Sequence, residues 1–205
     1  MRNPAINPDG TKVSFNTDKG ELYVVSMNGG PPQKISENGA WANWSPDGNY
    51  LYYQTFAPGG RGGSISDVRN GKKIPVPNTE SFWAFWLTQD ILVGCTPDYK
   101  RMVTFNLQTH KYSDLMKDVV GEVRIQNWMM SPDSKYLYFT TIGAEAKVFR
   151  LRLSDQQIET LMDLNSINRV LNFGNTDLNV APDGSPIFTR DTGYQEIYAL
   201  NVRWP

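Results

Sequence analysis

Few residues in this 205-residue chain could do acid–base, nucleophilic or metal chemistry. It has one histidine, His110, and one cysteine, Cys95. A triad, a His-rich metal site and most acid–base schemes would all have to share that one imidazole. A lone thiol excludes an internal disulfide and a multi-cysteine metal site. His110 falls in Leu107-Gln108-Thr109-His110-Lys111, which reads as a hairpin turn, so it is expected to be exposed and inert. Cys95 ends the apolar run Ile-Leu-Val-Gly-Cys at 91–95 and is expected to be a buried thiol. Gly62-Gly63-Ser64-Ile65-Ser66 departs from the Gly-x-Ser-x-Gly nucleophile elbow at its last position. The run Pro58-Gly59-Gly60-Arg61-Gly62-Gly63 lacks the following helix and the Gly-Lys-Ser/Thr ending of a phosphate-cradling loop, and reads as a mobile loop between two strands. There is no Asp-x-Asp calcium loop. The chemistry on offer is recognition, with no catalytic residue, metal ligand or cofactor site expected.

Recognition draws on aromatic and arginine side chains. Trp41 and Trp83 hold matching places 42 residues apart, in Trp41-Ala42-Asn43-Trp44 and Trp83-Ala84-Phe85-Trp86. An exposed indole there could stack on a ligand or anchor a peptide; the alternative is that both wedge into the core. Trp44 and Trp86 sit where Met130 and Val180 do in later units and are expected to be core. Arg124, Arg169 and Arg190 flank strand or loop segments, either as a partner-binding rim or as solvated, salt-bridged surface. Arg150 and Arg152 alternate with apolar residues and are expected to point outward from a strand.

These side chains need a scaffold, and its plan is a repeat. Pro8-Asp9-Gly10, Pro46-Asp47-Gly48, Pro132-Asp133-Ser134 and Pro182-Asp183-Gly184 place prolines 38, 86 and 50 residues apart. The doubled middle interval implies a unit that has lost the signature; its turn is Leu87-Thr88-Gln89-Asp90, just after the second Trp-Ala motif. Each corner has a physical reason: proline presets φ, the aspartate accepts local N–H groups, and glycine takes positive φ cheaply. A strand follows each turn, as in Tyr-Leu-Tyr-Tyr-Gln-Thr-Phe at 50–56, then a second strand, a tight turn and an outer strand.

A period in the low forties with four strands per unit predicts an all-β fold: a single β-propeller domain of about five blades, each four-stranded and antiparallel. The expected blades are approximately 4–40, 41–82, 83–125, 126–176 and 177–205. The last is incomplete, because only three residues follow its third strand at 196–202. The 17 Gly, 13 Pro and 12% aromatic content suit short strands and many turns. Twenty basic against 21 acidic residues leave no global field for phosphates, which argues against nucleic acid. No apolar run is long enough to span a bilayer, and the N-terminus shows no signal-peptide core.

The Pro-Asp-Gly units followed by aromatic-rich strands resemble the WD-like Pro-Asp propeller repeats of TolB and its relatives. Residues 131–205, from Ser-Pro-Asp-Ser-Lys-Tyr-Leu-Tyr-Phe to Gln-Glu-Ile-Tyr-Ala-Leu-Asn-Val-Arg-Trp-Pro, look like the C-terminal end of acidobacterial-type sensor proteins. In those, a winged-helix or serine/threonine-kinase domain precedes a TolB-like propeller. The resemblance implies a non-catalytic binding or sensing module within a larger bacterial signalling or regulatory protein, with a protein or peptide as partner or else a small ligand. The TolB likeness makes a periplasmic site plausible. Two alternatives stand beside it. One is an assembly element that self-associates through the open edge of the fifth blade. The other is the propeller portion of a peptidase-like hydrolase, for which the hydrolase domain and a spare histidine are lacking.

Overall fold

The computed structural model describes residues 2–57, 60–76, 83–116, 124–142, 146–169, 171–172, 175–176 and 178–193. Every regular element among them is a β-strand, and none is a helix long and apolar enough to cross a membrane. The chain divides into two compact units, residues 1–125 with 154–156, and 126–153 with 157–205.

The first unit holds three four-stranded antiparallel meanders. These are β1 (Arg2–Ile6), β2 (Lys12–Asn16), β3 (Leu22–Ser26) and β4 (Gln33–Ser36); then β5 (Ala40–Trp44), β6 (Tyr50–Ala57), β7 (Gly60–Asp67) and β8 (Lys73–Pro75); then β9 (Trp83–Trp86), β10 (Ile91–Cys95), β11 (Met102–Asn106) and β12 (Lys111–Met116). Strand order follows chain order in each sheet. The run of aromatics in β6 shows why the sheets stack. Leu51 and Tyr53 join Leu22, Val24, Ala42 and Trp44 in one core, while Tyr52 points the other way into a second core with Ile65, Ala84, Trp86, Leu92 and Phe105. A strand buried on both faces reads as a near-continuous apolar run, with its two-residue period serving two cores at once.

The second unit begins along β13 (Arg124–Met130), which forms the fourth meander with β14 (Tyr136–Ile142), β15 (Lys147–Arg152) and β16 (Ile158–Asp163). Two short hairpins follow: β17 (Leu171–Asn172) with β18 (Asn175–Thr176), and β19 (Leu178–Val180) with β20 (Pro186–Phe188). Tyr138, Val148, Leu164 and Leu178 form the core here. The β17–β18 hairpin was not foreseen from the sequence, whose Asn-rich stretch carries no alternation. The strand expected at 196–202 lies outside the described residues.

The Pro-Asp corners behave as their chemistry dictates. The backbone N–H two residues beyond each aspartate donates to its carboxylate at 2.9–3.1 Å for Asp9, Asp47, Asp133 and Asp183. Hydrogen bonds hold all four carboxyls below their ordinary range, chiefly from the Thr11, Ser45 and Ser131 hydroxyls at Asp9, Asp47 and Asp133 and from the Ser185 N–H at Asp183, with the backbone N–H groups adding to the first three. In the third sheet the corner has moved rather than vanished. Leu87–Asp90 turns between β9 and β10, as expected, but Thr96-Pro97-Asp98-Tyr99 makes the same corner one hairpin later, with Lys100 N–H on Asp98 at 3.1 Å and Thr96 N–H on Arg101 O at 2.9 Å. Tyr99 there takes a φ of 62°, the place of the glycine.

One expectation is corrected. Gly60 to Gly63 are not a mobile loop but the first half of β7, in register with Ala57, Phe56, Thr55 and Gln54. Gly63 is there for room: a Cβ on it would lie 2.7 Å from the Tyr52 ring.

Candidate recognition site

Strand β5 opens with a bulge, the four residues Ala40 to Asn43 facing the three from Gln54 to Tyr52. A bulge re-aims a side chain, and here it re-aims Trp41, whose φ is +48°. The same kink recurs five residues before the proline of two other corners, at Asn3 (φ 48°) and Asn127 (φ 35°). Asparagine tolerates left-handed backbone because its short amide bonds locally, whereas an indole there is strained by about 1–3 kcal/mol. The repeat therefore tolerates Asn at this position, and the second blade carries Trp in spite of the cost.

Trp41 stacks on Trp83, ring centroids 5.7 Å apart and planes 24° from parallel. Phe56, near the end of β6, meets Trp41 edge-on at 5.5 Å. Trp83 is half-buried, while Trp41 retains 38% of its surface exposed. The sequence alternatives of core wedge and exposed anchor thus resolve into an aromatic platform with Trp41 outermost. Asn43 and Gln54 share the sheet face that carries Phe56. The Asn43 side-chain amide N–H donates to Ala84 O at 3.1 Å, but its side-chain oxygen Oδ1 has no partner among the described residues. Gln54 is 1% exposed, and neither end of its amide is hydrogen-bonded. Buried amides without partners cost stability, so Asn43 and Gln54 are polar groups set among the apolar neighbours of Tyr52.

The other candidates fall elsewhere. Trp44 and Trp86 are core, as expected. Arg124 is exposed at the first residue of β13 and makes no hydrogen bond, ion pair or ring contact among the described residues. Arg169 and Arg190 meet as backbone bridge partners in the second unit, Arg169 half-buried and Arg190 exposed. Arg150 does not simply point into solvent: it lies 4.5 Å over the Tyr136 ring and pairs with Glu159 at 2.5 Å, and Arg152 reaches the same carboxylate at 3.0 Å. Cys95 is fully buried, and burial pushes its thiol up to about 12. His110 is an exposed turn residue with a φ of 54°. Among the described residues no three His, Cys, Asp or Glu side chains converge as metal ligands. Phe56 and Gln54 were missed in the sequence; their place opposite the Trp41 bulge follows from the register alone.

Four-stranded meanders repeated in tandem, the first packed on the second and the second on the third, are the architecture of a β-propeller. Solved structures bear this out. An oligogalacturonate lyase in complex with manganese superposes with a TM-score of 0.68 at 13% identity, over 89% of this chain and 56% of that one. A TolB-type protein from Agrobacterium tumefaciens gives 0.66 at 20% identity over 94% and 71%. TolB from Acinetobacter baumannii gives 0.58 at 14% identity over 93% and 47%. This chain thus spans from about half to about seven-tenths of these propellers. No protein-family profile matches the chain, and no curated protein sequence matches it.

Proposed function

We propose that this chain is a non-catalytic propeller module, part of a larger regulatory protein, that binds a protein or peptide through the Trp41–Trp83 platform. The observation that carries this reading is Trp41 itself: a large indole held in left-handed backbone and 38% exposed, where the first and fourth units place Asn3 and Asn127 in the same backbone state. Backbone strain retained at one copy of a repeated position points to function at that copy. Stacked indoles offer a rigid apolar surface at little entropic cost, suited to an aromatic or aliphatic side chain of a partner.

Trp41→Asn tests it, because asparagine is the residue the fold already uses at this position. Peptide and small-molecule panels screened against the parent protein should yield ligands whose affinity falls at least about tenfold in Trp41→Asn. Ligands that bind the variant as tightly as the parent, or a panel with no ligand at all, would overturn the proposal.

A further inference from the structure

A second, chemically different site lies in the first unit, away from the platform. A groove of about 380 Å³ runs between the β7–β8 end of the second sheet and the β11–β12 turn of the third. Its apolar lining is Tyr50, Ile74 and Leu107. Its charged lining is Lys72, Lys73 and His110, with a single carboxylate, Asp90, which already accepts from Gln108 Nε2 at 3.0 Å.

Several cations of the chain are committed to carboxylates, while Lys12, Lys19, Lys100 and Lys111 have no ion pair among the described residues. Lys34 bridges Glu21 and Glu37, Arg69 holds Asp67, Arg101 holds Asp114, and Lys135 meets Asp133. Neither Lys72 nor Lys73 has a side-chain partner among the described residues. Nor does blade architecture require cations here. The second unit has its own groove, lined by Tyr136 (which follows its Pro-Asp corner as Tyr50 follows Asp47), and that one carries Asp133 and Asp183 with Arg150 as its single cation. That Arg150 is already committed to Glu159. The two repeats share an aromatic wall and differ in sign.

We propose that the Lys72–Lys73–His110 groove binds a small organic anion, a phosphate monoester or carboxylate carried on an apolar or aromatic body. The two ammonium groups and an imidazole N–H meet the anion; Tyr50, Ile74 and Leu107 take the body. The volume is at the small end of ligand pockets, which suits a molecule of this kind rather than a folded partner. The competing explanation is that Lys72, Lys73 and Pro75 only blunt the free edge of β8 against pairing with another strand.

His110 is the chain's one histidine, so its imidazole proton signal stands alone in an NMR spectrum and reports directly on the groove. Phenyl phosphate added to the intact protein at constant pH should shift that signal saturably. Phenol and inorganic phosphate should each bind at least about tenfold more weakly, and Lys72→Gln/Lys73→Gln should weaken phenyl phosphate by about tenfold or more. Both lysines are exposed, so the double variant should retain the parent's unfolding midpoint. His110→Gly, which also suits the turn's positive φ, should lose affinity by calorimetry without losing stability. A signal that fails to saturate below about 10 mM overturns the proposal, as does a shift unchanged in the double variant. A double variant that self-associates while binding the probe like the parent would leave edge protection as the lysines' role.

Discussion

The indole N–H of Trp86 donates to the carbonyl oxygen of Asn43 at 3.1 Å. Trp44 makes the same bond to Ala5 at 2.9 Å, and Ala5 and Asn43 each stand three residues before the proline of their own corner. One device, used twice, ties the first strand of the second sheet to that of the first and the first strand of the third sheet to that of the second. Replacing Trp86 with Phe keeps an aromatic ring but leaves the Asn43 carbonyl without its donor, which costs about 1–3 kcal/mol. Urea unfolding should show this loss for Trp86→Phe and Trp44→Phe alike. Equal stability of both variants with the parent would mean that the indole bonds add nothing.

Position 41 separates backbone strain from side-chain packing. Trp41→Asn gives up the ring stack, about 0.5–1.5 kcal/mol, and relieves strain of similar size. Its stability should therefore stay within about 1 kcal/mol of the parent. Trp41→Val, β-branched in the same left-handed kink, should be the less stable of the two by about 1–3 kcal/mol. The order of their denaturation midpoints checks the assignment, and a reversed order would contradict it.

Gly63 is required by the Tyr52 ring above it. Gly63→Ala should destabilise by about 1–3 kcal/mol through overpacking. Adding Tyr52→Leu should recover part of that loss, giving a coupling energy that a double-mutant cycle can measure. Additive effects would show that the ring moves aside freely.

Asp67 accepts from the Arg69 guanidinium at 2.7 Å and 2.9 Å, and this pairing holds its carboxyl at about 2. A carboxyl depressed in the folded state stabilises the fold above its unfolded value, near 4, and loses that contribution as pH falls through the folded value. The stability gap between the parent and Asp67→Asn should thus be full at neutral pH, shrink below about pH 4, and close near pH 2. Urea midpoints across this range measure it; a gap that widens in acid would reverse the sign and refute the assignment.

Cys95, buried and with its thiol pushed up, should resist a disulfide reagent in the native protein and react at once in denaturant. Rapid labelling under native conditions would place the thiol at the surface instead.

Much of the architecture was legible because turn chemistry is local. Pro-Asp corners set the period, the period implies blades, and the apolar position two residues before the turn is core at Trp44 and Trp86, though the corresponding Ile6 is 62% exposed. Three things were hidden because they depend on partners distant in sequence. Gly60 to Gly63 look like loop until Tyr52 is placed over Gly63. The displaced corner at Pro97-Asp98 is invisible to a reading that expects one corner per blade in one place. The kink at Trp41 has no composition signal at all; it emerges only when Asn3 and Asn127 are found in the same backbone state. The Trp41–Trp83 pairing itself was legible as matching positions, since a repeat sets equivalent residues in neighbouring strands.

Each of the second and third sheets brings one indole donor to its predecessor, and the second offers its successor one carbonyl in the same place. Such a unit is self-similar at its seams: a copy of residues 41–82 spliced in after itself would meet a matching carbonyl on one side and a matching indole on the other. A gene segment of that kind can be duplicated without redesigning its neighbours. Met130 and Val180 stand at the indole position of the later units, and with no N–H to donate they cannot make that seam.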